Sequence, residues 1–199
     1  MNEVVIVDSG GANLGSLRYA FERLGARTHV SADGSVIASA ERVVLPGVGA
    51  AGDAMARLTA AGLTQVIPAL TQPVLGICLG MQLLFESSAE GATPGLGVFA
   101  GRIERIAEGS RQPVPHVGWN QFQILSPSPL LAGFTEREYA FFLHSYAAAV
   151  GPETCAACTY TEPFAALVGK GNFHGTQFHP ERSGPTGARL LSNFLALEP

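Results

Sequence analysis

Charged side chains are scarce in this sequence of 199 residues, and the basic ones form no cluster. Asp, Glu, Lys and Arg together make up 14% of the chain, and the formal net charge is −4. The Lys and Arg residues are scattered singly, and Arg102 with Arg105 is the densest pair in the middle of the chain. Because nucleic acid is bound through clustered positive charge, a nucleic-acid partner is not expected.

Cysteines are also few, and the N-terminal apolar run is short. The three cysteines are Cys78, Cys155 and Cys158, an odd number without the pattern of a disulfide framework, which agrees with a reducing compartment. The apolar run 4–7 follows an acidic residue, Glu3, and is too short for a secretion signal or a membrane helix. We therefore expect a cytoplasmic protein with a free thiol and no membrane partner.

Hydrophobic residues are plentiful, at 47% of the chain, and their spacing predicts the fold class. Up to residue 87, short apolar strands alternate with helices, which indicates an α/β protein. From residue 95 the apolar spacing changes to every second residue, which indicates antiparallel strands, and a helix at 185–197 closes the chain. We predict one domain over residues 1–199, a three-layer αβα sandwich around a mixed, mainly parallel sheet. The strands predicted in the first half cover 4–8, 28–30, 42–45 and 73–77, and the helices cover 14–24, 53–58, 64–70 and 79–85.

One cysteine stands between two glycines, in Gly76-Ile77-Cys78-Leu79-Gly80, where a predicted strand meets a predicted helix. This is the thiol version of the Gly-x-Ser-x-Gly nucleophile elbow. Such a tight turn requires glycines because a Cβ would collide with neighbouring backbone. The helix N-terminus directs partial positive charge at the sulfur, which favours the thiolate, and the Leu79 N–H can donate to an oxyanion. The pattern predicts that Cys78 is a nucleophile, with a buried structural cysteine as the alternative.

The base for this thiol must be one of five histidines. Four of them are expected to be structural: His29, His116, His144 and His174. His179 differs, because it ends an apolar strand and is followed by Pro180 and Glu181. The rigid proline can aim the imidazole at the thiol, while the carboxylate binds the other ring nitrogen and fixes its tautomer. These residues predict a catalytic triad of Cys78, His179 and Glu181.

The elbow and the His-Pro-Glu segment resemble the motifs of the class I glutamine amidotransferases, and the resemblance runs nearly end to end. Within that family the chain is most similar to the glutaminase subunits of imidazole glycerol phosphate synthases. This narrower likeness rests on residues 45–50, 52–55, 81–86, 115–120 and 142–146. The resemblance implies a flavodoxin-like class I glutamine amidotransferase fold.

The resemblance also implies an activity, the hydrolysis of glutamine to glutamate and ammonia. Cys78 would attack the side-chain carboxamide, and His179, oriented by Glu181, would protonate the departing ammonia and then activate water against a γ-glutamyl thioester. The resemblance adds an oxyanion hole from Val48, Gly49 and Leu79. The residues it implies for glutamine binding are Gly47, Gly49, Gln82, Ser145 and Tyr146. No cofactor and no metal are expected.

A partner subunit is implied as well, because ammonia released into neutral water is mostly protonated and loses its nucleophilicity. By resemblance the partner is a (β/α)8-barrel cyclase subunit, which forms a heterodimer with this chain, receives ammonia through a channel and serves histidine biosynthesis. The residues that match interface positions are Asn13, Trp119, Asn120, Phe141 and Arg182. The loop 8–13 departs from the family pattern, which bears on partner docking, and Ala51 replaces an aromatic residue.

Several alternatives compete with this interpretation. The Gly-rich loops match no phosphate-binding spacing. Cys155 and Cys158 have metal-ligand spacing, but no second Cys or His pair lies near them, and on a regular strand they would face opposite sides, so two buried small residues are expected. The remaining alternatives are the glutaminase of pyridoxal phosphate or anthranilate synthesis, against which residues 81–86 and 115–120 argue, and a catalytically silent adaptor.

Overall fold

The chain folds around one large sheet, as seen in a computed structural model that describes residues 2–9 and 14–198. The strands in this part of the chain are β1 (Glu3–Val7), β2 (Arg27–Ser31), β3 (Val43–Gly47), β4 (Val74–Cys78), β5 (Phe85–Ser88), β6 (Thr93–Pro94), β7 (Phe99–Arg105), β8 (His116–Ile124), β9 (Arg137–His144), β10 (Tyr146–Ala148), β11 (Thr154–Thr159), β12 (Pro163–Lys170) and β13 (Phe173–Thr176). The helices are α1 (Leu14–Arg23), α2 (Gly34–Ala38), α3 (Ala51–Ala60), α4 (Leu63–Val66), α5 (Leu79–Leu83) and α6 (Gly184–Leu195). Single 3₁₀ turns occur at Ile67–Ala69, Glu90–Ala92, Pro129–Leu131 and Pro180–Arg182.

The large sheet is mixed, as the sequence predicted. Its strand order in the described residues is β2-β1-β3-β4-β13-β12-β11-β8-β9. The first five strands in this order run parallel to their neighbours, and the other four are joined antiparallel. Strand β13 comes from the antiparallel half of the sequence but lies beside β4, parallel to it, with Thr176 opposite Ile77. The C-terminal ends of β4 and β13 therefore lie at the same edge of the sheet, where Cys78 is the last residue of β4 and His179 follows β13.

Helices cover both faces of the parallel part, which makes the three layers. Strand β1 shows why, because Val4 and Ile6 join one apolar cluster while Val5 and Val7 join the other. A strand buried on both faces needs this unbroken apolar sequence. Residues of α1 and α6 complete the first cluster, and residues of α2, α3 and α4 complete the second.

The predicted helix at 79–85 is wrong at its C-terminal end. Helix α5 stops at Leu83, and Phe85 begins strand β5 of a second sheet with the order β10-β7-β5-β6. The carbonyls of Leu83 and Leu84 accept hydrogen bonds from the backbone N–H groups of Leu96 and Val98, both at 2.8 Å. These tertiary bonds satisfy the groups that a longer helix would have used, so the apolar spacing alone misplaced the boundary.

Helix α2 is not among the helices predicted from the sequence. Its N-terminus is capped by Asp33, whose Oδ1 accepts from the backbone N–H groups of Ser35 at 2.7 Å and Val36 at 3.3 Å. An Asp at this position is a favoured N-cap, so the residue type did contain the necessary information.

Two glycines let the backbone close tightly around Cys78. A Cβ on Gly76 would lie 2.7 Å from the Met81 Cα, and a Cβ on Gly80 would overlap the carbonyl oxygen of Leu45. Both contacts are with backbone, which cannot rotate away as a side chain can. The elbow therefore packs directly against strand β3.

We expect Gly80→Ala to lower the free energy of unfolding by about 3 kcal/mol or more, because the new methyl group must displace the Leu45 carbonyl. Chemical denaturation followed by circular dichroism measures the change. Gly52→Ala is the matched control, since a Cβ there meets only the Thr93 Oγ1 at 3.5 Å and the residue lies inside helix α3. The control should be neutral or up to about 1 kcal/mol more stable. Equal stability of the two variants would show that the elbow is not tightly packed.

No helix in the described part of the chain is long and apolar enough to cross a membrane.

Candidate active site

The predicted nucleophile sits at the end of strand β4 in a strained backbone conformation. Cys78 has φ 53° and ψ −111°, outside the usual regions for a residue with a side chain, and immediately precedes helix α5. Its side chain is almost buried, with 7% of the residue exposed. Backbone strain of this kind costs about 1–3 kcal/mol and concentrates at functional sites. The fold thus holds this thiol at the sheet edge against a local energetic cost.

The predicted base and its carboxylate lie directly after strand β13. His179 Nδ1 is 2.9 Å from Glu181 Oε1, and both side chains are about 10% exposed. The backbone N–H of His179 donates to the Phe141 carbonyl at 3.0 Å, and the Ser183 hydroxyl donates to the His179 carbonyl at 2.7 Å. With Nδ1 bonded to the carboxylate, the other ring nitrogen is left to serve Cys78, which lines the same cavity and interacts electrostatically with the imidazole.

The charge balance at His179 favours the imidazolium. Burial by itself lowers the pKa of this imidazole, but hydrogen bonds and charge interactions with Cys78 and Glu181 outweigh it and raise the pKa to about 10. An imidazolium next to sulfur stabilises a thiolate, the form of cysteine that reacts. The arrangement can therefore supply a nucleophile and a proton donor together.

We expect the pKa of His179 to fall when its sulfur partner is removed in Cys78→Ala, because Glu181 is then the only one of the two partners left to counter the lowering of this pKa by burial. Titration of the ring by NMR measures both proteins. Since the folded pKa of about 10 exceeds the unfolded value of 6.5, protonated His179 stabilises the fold fully below pH 6.5, and this contribution is lost as the pH rises towards 10. The same pKa in both proteins would mean that the thiol and the imidazole do not interact.

The thiol and the imidazole open into one cavity of about 210 Å³. All the residues that the sequence analysis assigned to the oxyanion hole and to glutamine binding line it: Gly47, Val48, Gly49, Leu79, Gln82, Ser145 and Tyr146. Leu79 is the first residue of α5, where an N–H has no partner within the helix, and Gly49 has a positive φ of 88° that glycine adopts without strain. The structure thus brings these side chains and backbone groups together around one cavity.

Three further residues line the cavity that sequence reasoning had not assigned to it: Glu90, Leu143 and His144. Glu90 Oε2 accepts from the Ala51 N–H at 2.8 Å, which fixes a carboxylate at the cavity. No local motif marks Glu90, since its partner lies 39 positions earlier. His144 was interpreted as structural, although it stands in the stretch 142–146 that had been singled out.

Gln177 is a further missed residue, although it belongs to the motif that contains His179. Its Nε2 lies 3.7 Å from Cys78 Sγ, and its Oε1 accepts from Gln82 Nε2 at 2.9 Å. The same Gln82 nitrogen donates to the Tyr146 carbonyl at 2.8 Å. Both amide hydrogens of Gln82 are therefore used within the protein, and only its carbonyl oxygen is left to accept from a ligand.

An apolar strip of exposed side chains begins next to the thiol on strands β8 and β9. Cross-strand pairing places Val117 opposite Leu143 and Trp119 opposite Phe141. Val117 and Trp119 are 58% and 56% exposed, and Cys78 Sγ lies 3.7 Å from the Leu143 carbonyl. We call these four residues the apolar strip; exposed apolar patches of this kind occur at protein interfaces.

Four of the five predicted interface residues lie on or beside the apolar strip. The Arg182 guanidinium stacks 4.0 Å from the centre of the Phe141 ring, while Asn120 turns its amide towards the Thr159 carbonyl at 3.0 Å. The fifth, Asn13, lies outside the described residues.

The other two cysteines are buried and free, as expected, but not on opposite sides of their strand. Cys155 and Cys158 belong to the same apolar cluster, because two register shifts near Ala156 break the regular alternation of β11. Burial raises the pKa of both thiols, that of Cys158 to about 12, which keeps them protonated. Among the described residues, no group of three or more His, Cys, Asp or Glu side chains is placed to hold a metal ion.

Comparison with known proteins agrees with this geometry. The model of the family "Glutamine amidotransferase class-I" matches residues 5–197. The "Imidazole glycerol phosphate synthase subunit HisH" of Xanthomonas campestris pv. campestris (strain 8004) is 51% identical over 197 residues, which cover 99% of this chain and 98% of that protein. The protein of the same description from Xylella fastidiosa (strain Temecula1 / ATCC 700964) is 50% identical over 198 residues, covering 100% of this chain and 99% of the relative.

Solved structures show the same fold at lower sequence identity. A glutamine amidotransferase superposes with a TM-score of 0.74 at 18% identity and covers 96% of both chains. PurLQS from Thermotoga maritima superposes with a TM-score of 0.72, also at 18% identity, covering 98% of this chain and 97% of the other. With its fold, its full-length relatives and the family match in agreement, this chain belongs to the class-I glutamine amidotransferases.

Proposed function

We propose that this chain is the glutaminase subunit of an imidazole glycerol phosphate synthase. It hydrolyses glutamine to glutamate and ammonia and delivers the ammonia to a (β/α)8-barrel cyclase subunit for histidine biosynthesis. The observation that carries the proposal is that Cys78 and His179, which is itself 2.9 Å from Glu181, line one cavity sized for a small molecule. Full-length relatives at about half identity, each described as a subunit of that synthase, support the choice of pathway.

At the start of the reaction, His179 holds the proton of the Cys78 thiol as an imidazolium, and the sulfur attacks the side-chain carbonyl carbon of glutamine. The imidazolium then gives this proton to the departing nitrogen, which leaves as ammonia, while the acyl group remains on sulfur as a γ-glutamyl thioester. Glu181, bonded to Nδ1, keeps the other ring nitrogen directed at the reacting atoms.

Negative charge develops on the carbonyl oxygen during this attack and needs donors. The Leu79 N–H, unpaired within its helix, is one candidate, and the loop of Val48 and Gly49 at the other side of the cavity provides the second. Two such N–H groups in a site with little water stabilise an oxyanion by several kcal/mol, since removing one donor typically costs about 2.7–4 kcal/mol.

In the second half, His179 takes a proton from water, and the hydroxide attacks the thioester carbonyl. The carbon–sulfur bond breaks, glutamate leaves, and the proton returns to the sulfur of Cys78. The same ring nitrogen thus acts first as an acid and then as a base, as the reversal of roles in acyl transfer requires.

The lining of the cavity includes groups that suit the α-amino and α-carboxylate groups of glutamine. The Glu90 carboxylate and the free carbonyl oxygen of Gln82 are acceptors for an ammonium group. Ser145 and Tyr146 bring hydroxyl groups that can donate to a carboxylate. We assign the acceptors to the ammonium group and the hydroxyl groups to the carboxylate of glutamine, which leaves the substrate amide for Cys78.

The apolar strip is the surface where we place the cyclase subunit. It starts at Leu143, whose carbonyl faces Cys78 Sγ, so a partner seated there lies next to the point of ammonia release. Trp119 and Phe141 supply aromatic area and Arg182 a cation, the residue types that dominate binding energy at protein interfaces.

Two rival functions predict different behaviour. A silent adaptor would bind a synthase without using the thiol, and a glutaminase of pyridoxal phosphate or anthranilate synthesis would be activated by another partner. The arrangement of Cys78, His179 and Glu181 argues against a silent adaptor. Full-length relatives described as subunits of imidazole glycerol phosphate synthase argue against a glutaminase of another synthase.

We expect glutamine hydrolysis by the isolated chain to be slow and to become faster when the cyclase subunit and its phosphoribosyl ligand are present. The reason is that the partner docks next to the cavity and brings the groups that line it into the geometry that the reaction needs. Glutamate release measured with and without the partner tests this expectation. The glutaminase-free barrel of a pyridoxal phosphate synthase serves as the matched control and should give no activation. Equal turnover with and without the cyclase would contradict the coupling.

A further inference from the structure

A row of polar groups runs along the core face of strands β8 and β9, opposite the apolar strip, from half-buried Asn120 to the glutamine cavity. Asn120 Nδ2 lies 3.3 Å from His116 Nε2, and His116 Nδ1 lies 3.0 Å from His144 Nε2. His144 Nδ1 in turn lies 2.9 Å from the Tyr146 carbonyl oxygen. His116 and His144 are 3% and 6% exposed, so these contacts are shielded from water. The mechanism above uses neither histidine.

The row continues from the Tyr146 carbonyl to the nucleophile. That carbonyl also accepts from Gln82 Nε2, which donates to Gln177 Oε1, and Gln177 Nε2 lies 3.7 Å from Cys78 Sγ. Two donors, from His144 and Gln82, therefore converge on one backbone oxygen in the cavity wall. We call the whole row, from Asn120 to Cys78, the hydrogen-bond line.

The two ends of the line fix the tautomers of both histidines without ambiguity. A carbonyl can only accept, so His144 Nδ1 carries the hydrogen that faces Tyr146, and its Nε2 must accept from His116 Nδ1. From the other end, Asn120 Oδ1 accepts from the Gln121 N–H at 2.8 Å, so its Nδ2 is the atom that donates to His116 Nε2. Both arguments give the same pair of Nδ1–H tautomers.

The surroundings keep these rings neutral and immobile. Burial lowers the pKa of His116 to about 4 and that of His144 to about 3, so neither is charged at neutral pH. The His116 ring stacks between Phe142, at 5.1 Å, and Tyr160, at 4.1 Å between ring centres. A neutral ring with one donor and one acceptor in fixed places transmits a change at one nitrogen to the other.

We propose that His116 and His144 are positioning residues, which hold the Tyr146 carbonyl in the glutamine cavity and connect it, through Asn120, to strand β8, whose other face carries the apolar strip where the partner docks. The inference rests on the proposed function, because it assigns the cavity to glutamine and the surface to the cyclase subunit. It predicts two separable effects: loss of the His144 bond to Tyr146 weakens glutamine binding, and loss of the His116 link weakens activation by the partner.

Two substitutions of His144 separate its two hydrogen bonds. The amide nitrogen of asparagine falls where Nδ1 was, so His144→Asn keeps the donor to Tyr146 and loses the link to His116. The amide of glutamine reaches the place of Nε2, so His144→Gln keeps that link and loses the donor. In the complex with the cyclase subunit, the KM for glutamine should rise about tenfold or more in His144→Gln and much less in His144→Asn.

The link to the partner is tested with His116→Phe, which preserves the stacked ring and removes only its nitrogens. Activation is measured as kcat/KM for glutamine with saturating cyclase subunit and ligand, divided by the value for the isolated chain. This ratio should fall about tenfold, within the range of 5- to 150-fold that is typical of coupling between sites. Tyr160→Phe is the matched control, because Tyr160 packs on the same ring but its hydroxyl donates to the Pro113 carbonyl, outside the line.

Asn120→Ala removes the outermost hydrogen bond of the hydrogen-bond line and is used instead if His116→Phe does not fold. With saturating cyclase subunit, it should show the same loss of activation. Equal KM values in the two His144 variants would overturn the holding role, and unchanged activation in His116→Phe would overturn the coupling. A native complex without glutaminase activity would reject the proposed function as well and is measured first, so the two failures are distinguishable.

Discussion

Replacing Cys78 by alanine is expected to abolish glutamine-dependent synthesis by the complex, with a loss of about 10⁴-fold or more, and to leave synthesis from added ammonium salt unchanged. The thiol is the one atom that bonds covalently to the substrate, and no other cysteine can take its place, since Cys155 and Cys158 are buried with raised pKa values. Removing the nucleophile lowers kcat by about as much as removing all the residues of the catalytic unit together. Product formation with glutamine and with ammonium, measured side by side, gives both numbers.

Cys155→Ala is the matched control for this experiment. Its thiol is 7% exposed, as that of Cys78 is, but it lies in another cavity, beside Gly169 and His174. We expect native turnover with glutamine and at most a modest loss of stability. Glutaminase activity that persists in Cys78→Ala would reject the thiol as nucleophile, and loss of ammonium-dependent synthesis would place Cys78 in a structural role instead.

His179→Ala is expected to lower kcat for glutamine by about 10⁴-fold to 10⁶-fold with little change in KM, because the imidazole moves protons in both halves of the reaction. Glu181→Gln should cost less, about 10²-fold to 10⁴-fold, since a glutamine side chain keeps the contact at Nδ1 but no longer stabilises the imidazolium. Steady-state kinetics of both variants in the complex provide the comparison.

The double variant Cys78→Ala with His179→Ala is the sharper test of this unit. When two groups act as one catalytic unit, removing either group already removes the rate enhancement of both. The double variant should therefore be no slower than the slower single variant. Losses that multiply would mean that the two side chains act independently, contrary to the interaction with Cys78 that raises the pKa of His179.

The local part of the site could be predicted from the sequence because each piece is set by neighbours along the chain. Gly76 and Gly80 flank the thiol and permit the tight turn, and Pro180 spaces Glu181 from His179. In each case the residues concerned are fewer than about five positions apart in the sequence. Over such short distances the backbone geometry that glycine permits or proline imposes determines which side chains can come into contact. The alternation of buried strands and helices likewise predicted the α/β sandwich.

The remaining features depend on contacts between distant segments. Phe85 begins a strand rather than ending a helix because the backbone of residues 96–99 supplies hydrogen bonds to the turn before it. The Glu90 carboxylate is held at the cavity by the backbone N–H of Ala51. The Gln177 amide contacts the sulfur of Cys78, although the two residues are 99 positions apart in the sequence. Hydrophobic spacing contains no information on such pairs, so a polar residue that faces the site looks like any other polar residue.

Cys155 and Cys158 illustrate a third kind of difference. A regular strand would place them on opposite faces, but the register shifts in β11 bring both into one apolar cluster. A bulge adds one residue to one strand only, and its position is set by the pairing of β11 with β12 rather than by the composition of either strand.

The most direct test of the account is to trap the acyl-enzyme. The native complex is mixed with glutamine, quenched in acid within the first turnovers, digested, and examined by mass spectrometry. We predict a glutamyl group in thioester linkage on the peptide that contains Cys78, absent when glutamine is omitted. A glutamyl group on another residue, or glutamate formed at the native rate with no adduct on Cys78 at any quench time, would contradict the central role of this thiol.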